Sequence, residues 1–112
     1  SCSPCMAEMP QINELYERFR SDTNFIFISV TTDKKRRIEE TRQRFGITYP
    51  VFSISHEEAQ RLNPVGFYPA NIIVGKDGKI KHYETGGQIS SWLVNRHFKN
   101  KLYRIVKKQL ML

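Results

Sequence analysis

Two cysteines, Cys2 and Cys5, open the chain in "SCSPCMAEMP", three positions apart and just ahead of a run with helical spacing; the 112-residue chain has no others. Residues three apart at a helix start lie about one turn from each other, which brings two sulfurs within reach of a disulfide. Partial positive charge at a helix N-terminus stabilises a thiolate, so Cys2, at the open end, is the expected nucleophile. Cys5, one turn further in, is the expected resolving thiol that closes the ring and expels a bound partner. Pro4 suits a first turn, where its missing N–H costs nothing.

Two other uses of a cysteine pair stand beside thiol–disulfide exchange. A structural disulfide across so short a loop removes little chain entropy. A zinc site needs four ligands, and here one cysteine pair is accompanied by His56, His82 and His97, none at paired spacing; no metal and no cofactor is expected. The histidines read as surface or helix-face residues.

The elements that must hold these thiols follow an alternating α/β order, with no repeat, linker or low-complexity stretch. Apolar residues at 5, 6, 9, 12, 15, 16 and 19 predict an amphipathic helix over 4–20, kinked at Pro10. "NFIFISV" (24–30) reads as a buried strand, and Asp33 as the N-cap of a helix that runs to Phe45 and stops at Gly46. "ITYPVFSI" reads as extended and "HEEAQRLN" as a short helix ended by Pro64. In "ANIIVGKDGKIKHYET" two strand-like runs flank Lys76, Asp77 and Gly78, a hairpin signal. Gly86 and Gly87 break that pattern. Residues 89–110 then place apolar side chains at 94, 98, 102, 105 or 106, and 110, the stripe of a helix that shows Arg96, Lys99, Arg104 and Lys107 or Lys108 to water.

Composition bounds what this order can do. With 39% hydrophobic and 26% charged residues the chain is that of a folded globular protein, expected as a single domain over 1–112 with a core over about 2–95 and a basic C-terminal helix over about 89–110. No apolar run is long enough for a membrane span, and the start does not resemble a secretory signal. The net charge of +7 is concentrated at the end: residues 85–112 hold six Lys or Arg and no acid, against twelve bases and eleven acids in 1–84. Such a helix is either a solvated face or a surface for a membrane or an acidic partner, with nucleic acid not favoured. "KKRR" at 34–37 is followed at once by Glu39 and Glu40, which neutralise it.

These residues carry a family resemblance. "CSPCMAEMPQINELYERF" resembles the first helix of the thioredoxin superfamily, and its C-x-x-C-x-x-E-x-P pattern is similar to the TlpA/ResA-like branch of extracytoplasmic thiol–disulfide oxidoreductases. "GFYPANIIVGKDGKIKHYETGG" looks like that family's cis-proline, strand, turn and last strand. The resemblance covers roughly residues 2–95. It implies a thioredoxin-like α/β fold, a central mixed β-sheet flanked by helices, with Cys2 and Cys5 as the catalytic thiols and Glu8 as an acidic catalytic group beneath them. Tyr68 and a cis Pro69 would face the sulfurs and bind an extended substrate segment.

It also implies a reductant of protein disulfides in the bacterial periplasm or cell envelope, served by an upstream electron donor, with room for a membrane anchor in the full-length protein. A disulfide oxidase or isomerase, and a redox-inactive interaction module on the same fold, stay open. Two departures stand out. Ser1 occupies the position where most relatives have Trp, and the usual strand before the C-x-x-C motif is absent from this chain, which raises the expectation of strand-sharing oligomers.

Overall fold

The computed structural model describes the backbone of residues 3–86 and 91–112 and the side chains of residues 5–86 and 92–112. Its elements are α1 (Ser3–Phe19), β1 (Ser29–Thr31), α2 (Lys35–Phe45), β2 (Val51–Ser53), α3 (His56–Leu62), β3 (Ala70–Val74), β4 (Ile80–Thr85), α4 (Ser91–His97), a π-helical turn (Phe98–Leu102) and α5 (Tyr103–Leu110). The chain packs as two compact units, Asn13–Gly66 and Ser1–Ile12 with Phe67–Leu112. Helix α1 gives its first part to the second of these and its last part to the first. Pro10 lies inside it, at the position where a backbone donor is lost.

In Asn13–Gly66, β1 and β2 pair in parallel, Ser29 opposite Val51 and Thr31 opposite Ser53, with α2 as the crossover that parallel strands require. Tyr16, Phe27 and Tyr49 form an aromatic core, with ring centroids 5.5 Å apart for Tyr16–Phe27 and 5.1 Å for Phe27–Tyr49. Arg42 of α2 ties down the loop that follows by donating from Nη1 to the carbonyls of Ile47 (3.2 Å) and Tyr49 (3.0 Å). Asn13 of α1 accepts from the Thr48 backbone N–H at 2.8 Å, and the Thr48 hydroxyl is bonded to Glu17.

Two expectations need correction in this unit. The stretch 24–30 is a strand only from Ser29, because among the described residues no strand lies opposite 24–28 to complete a ladder. It is not buried either: Phe25 and Phe27 turn inward while Ile26 (83% exposed) and Ile28 (65%) face out, the two-residue alternation of a one-sided strand. The N-cap of α2 is Lys34 rather than Asp33, and no side chain caps it. Asp33 instead donates its backbone N–H to Thr31 Oγ1 and accepts from Ser53 Oγ at its carbonyl.

The other end of α2 is as expected. Gly46 adopts φ 61°, ψ 37°, and its N–H caps the Arg42 carbonyl. An L side chain in that left-handed conformation costs roughly 1–2 kcal/mol. Gly46→Ala is therefore expected to destabilise the protein by about 1 kcal/mol, read as a lowered urea midpoint at unchanged slope. Helix α3 starts with a reciprocal capping box, Ser55 Oγ accepting from the Glu58 N–H and Glu58 accepting from the Ser55 N–H, a signal present in "SHEE".

In the other unit, β3 and β4 form the expected antiparallel hairpin, Ala70 opposite Thr85 and Ile72 opposite Tyr83, with an irregularity between Ile73 and Val74. Gly78, at φ 79°, makes the tight turn. Val94, Phe98 and Leu102 form the core of this unit, packed against Ala7, Ile12 and Ile73. Val106 continues their stripe along the basic C-terminal helix.

A spacing of four drifts by about 40° per step on an α-helix with 100° per residue, so four such positions would not share a face. The π-helical turn at Phe98–Leu102 contains more residues per turn and turns the stripe back, which keeps Val94, Phe98, Leu102 and Val106 buried together. Arg96, Lys99, Arg104, Lys107 and Lys108 are exposed, as the periodicity predicts.

Candidate active site

Helix α1 carries the site. Cys5 sits in its first turn, half-buried and disulfide-bonded. Cys2 and Gly87 lie outside the described residues. Three residues beyond Cys5, on the same helix face, Glu8 is only 4% exposed. It is not a solvated helix residue. A carboxyl group without water needs a partner, and Asn71 of β3 provides one by donating from Nδ2 to Glu8 Oε1 at 3.0 Å. Burial pushes the Glu8 carboxyl up from 4.5 to about 7; the Asn71 hydrogen bond opposes the shift, the nearby Glu84 charge adds to it, and His97 opposes it. A carboxyl with that proton affinity is half ionised at neutral pH, where a general acid or base is most effective.

The Tyr68–Pro69 peptide is cis, as the resemblance implies. Pro69 is buried, and its carbonyl accepts from the Gly86 N–H at 2.8 Å, which closes the open end of the hairpin. Tyr68 stays 52% exposed. The unit Ser1–Ile12 with Phe67–Leu112 thus contains Cys5, Glu8, Tyr68 and Pro69 together.

Three further polar residues that the motif does not contain lie around Glu8, namely Asn71, Glu84 and His97, and His82 joins them through Glu84. Glu84 of β4 is bonded at 2.6 Å through Oε1 to His82 Nε2 and at 2.6 Å through Oε2 to His97 Nε2. An ionised carboxylate can only accept, so both rings then carry a proton on Nε2. The histidines at 82 and 97 are therefore not simple surface residues, whereas His56 is exposed at the start of α3. A signal for the first pair was present in "KHYET", since residues two apart on a strand share a face. Nothing in the sequence marks His97, thirteen residues further on, as their neighbour.

A disulfide-bonded cysteine in the first turn of a helix, a buried carboxyl one turn below it and a cis-proline before an antiparallel hairpin define a protein of thioredoxin-like fold. Solved structures agree. A thioredoxin-like protein in its oxidised form superposes with a TM-score of 0.74 at 21% identity, over 97% of this chain and 73% of its own. A thiol:disulfide interchange protein of the thioredoxin family from Chlorobium tepidum TLS superposes at 0.67 and 22% identity, over 97% and 72%.

Residues 1–83 match the AhpC/TSA family, and the chain belongs to it. Among similar proteins, the thiol–disulfide oxidoreductase ResA of Geobacillus thermodenitrificans is 32% identical over 85 residues, which are 76% of this chain and 49% of that protein. The thiol–disulfide oxidoreductase YkuV of Bacillus subtilis is 26% identical over 100 residues, 86% and 68% respectively. The chain spans about half the length of the ResA relatives that it matches.

Proposed function

We propose that this chain is a thiol–disulfide oxidoreductase, a single thioredoxin-like domain that reduces disulfides of protein substrates in the bacterial cell envelope. The observation that carries the reading is the sealed Glu8 carboxyl, poised near neutrality one turn below the disulfide-bonded Cys5. In the reduced protein the Cys2 thiolate attacks a substrate disulfide and forms a mixed disulfide, releasing one substrate sulfur as thiolate. Cys5 then gives its proton to Glu8 and attacks the Cys2 sulfur. The Cys2–Cys5 disulfide forms, the second substrate sulfur leaves, and an upstream dithiol donor restores the reduced state.

Tyr68 and Pro69 are the proposed substrate contacts. Because the Pro69 carbonyl is already engaged by Gly86, the exposed Tyr68 is the better placed of the two to meet an extended peptide. The exposed bases Arg96, Lys99, Arg104, Lys107 and Lys108 offer a face to a membrane surface or an acidic partner. Among the described residues no helix is long and apolar enough to cross a membrane. Each two-stranded sheet leaves strand edges without a partner among the described residues, which supports strand sharing between chains.

Insulin reduction in the presence of dithiothreitol tests the activity. Turnover above the dithiothreitol background is expected, and a rate equal to background would favour a redox-inactive binding module. The equilibrium potential of the cysteine pair against glutathione tests the direction: a value well below that of the compartment supports a reductant, and one above it an oxidase.

A further inference from the structure

Glu84 has both carboxylate oxygens held by imidazoles, 2.6 Å from His82 Nε2 and 2.6 Å from His97 Nε2. Such a clamp fixes its rotamer and aims its charge. Glu8, Glu84 and His97 line one cavity of about 180 Å³, together with Thr85, Gly86, Val94 and Phe98. Within the clamp, the His97 side chain is the most exposed at 31%, against 18% for Glu84 and 15% for His82.

The groups that face Glu8 are thus Asn71 from β3, Glu84 from β4 and His97 from α4, with Cys5 on its own helix. Among the described residues, no lysine or arginine lines this cavity. Glu8 is therefore shut away from solvent with a neighbouring carboxylate whose charge two histidines can neutralise.

We propose that Glu84, clamped between His82 and His97, is a positioning residue whose charge decides whether the buried Glu8 carboxyl keeps its proton. The inference rests on the thiol–disulfide reading above, because its purpose is to set when Glu8 can take the proton of Cys5. A negative Glu84 across a poorly solvated cavity opposes a second negative charge on Glu8, and so favours transfer of the proton from Cys5 Sγ to Glu8. A proton gained by His97 or His82 offsets the Glu84 charge, and Glu8 then releases its own proton more easily. Glu84 exchanges no proton in this scheme; it acts through its field alone. Neither the C-x-x-C motif nor Glu8 would show such control, since it comes from β4 and α4.

The test is a ¹³C carboxyl NMR titration of Glu8 in the oxidised protein, in wild type, Glu84→Gln and His97→Gln. Gln retains hydrogen-bonding groups at both positions while removing the charge. The Glu8 midpoint is expected to move down in Glu84→Gln and up in His97→Gln. Opposite directions are the signature, because general loosening of the fold would let water in and lower both. Midpoints that stay fixed, or move the same way, would overturn the proposal whether or not the protein exchanges disulfides.

In the reduced protein, the acid limb of the pH profile for disulfide exchange should follow the Glu8 midpoint in each variant. If the midpoints separate but the acid limb stays fixed, the link from Glu84 to the chemistry of Cys5 is wrong. If the midpoints separate in a protein with no exchange activity at all, the thiol–disulfide reading fails and the charge coupling survives.

Discussion

Cys5→Ser is expected to abolish catalytic turnover in insulin reduction and to accumulate a mixed disulfide between Cys2 and the substrate. Without the Cys5 sulfur, the mixed disulfide has no internal thiolate to attack it, and the reaction stops after its first step. Cys2→Ser should abolish turnover equally but trap nothing, because Cys5 is half-buried in the first turn of α1. Non-reducing gels with mass spectrometry of the adduct separate the two cases. An adduct on Cys5 in the Cys2→Ser protein, with none on Cys2 in the Cys5→Ser protein, would exchange the two roles.

A second large effect concerns Glu8 and pH. In an unfolded chain this carboxyl titrates near 4.5, and in the fold near 7, chiefly because burial disfavours its charge. The folded state therefore binds the Glu8 proton more tightly than the unfolded state does. Its contribution to stability is fully present below pH 4.5 and is lost as the pH rises through 7. At 1.36 kcal/mol per unit the loss is about 3 kcal/mol.

Gln at position 8 cannot ionise, yet its carbonyl oxygen can still accept from Asn71. Oxidised Glu8→Gln should therefore match wild type near pH 4 and exceed it by about 3 kcal/mol near pH 8. Urea unfolding at pH 4, 6 and 8 gives the comparison, and parallel curves for the two proteins would show that Glu8 is not held as described. In the reduced protein the same substitution removes a negative charge that opposes thiolate formation. The alkylation midpoints of Cys2 and Cys5 should then move to lower pH, whereas unchanged curves would exclude Glu8 from the chemistry.

The sequence by itself determined the parts of this protein that depend on local spacing. The apolar period of α1, the left-handed stop at Gly46, the Lys76–Gly78 turn between β3 and β4, and the stripe Val94–Phe98–Leu102–Val106 were legible because each reflects backbone geometry within a few residues. The placing of Glu8 on the same helix face as Cys5 was legible for the same reason, the two lying one turn apart on α1. The cis peptide before Pro69 was implied by resemblance and not by any local rule.

Tertiary structure decided what depends on partners far along the chain. Residues 24–28 have the composition of a strand, but strand formation needs a ladder partner, and β2 offers only three residues. The π-helical turn arises because four apolar residues spaced by four must reach one core, a demand of packing that helix propensity does not contain.

The surroundings of Glu8 show the division most clearly. Its position on α1 is local, whereas its burial comes from the packing of other elements around it. Asn71 lies 63 residues away and satisfies it, while Glu84 and His97 set its electrostatic setting from β4 and α4. A carboxyl's charge state is a property of its solvation and of the charges around it, and those are set only when distant segments come together.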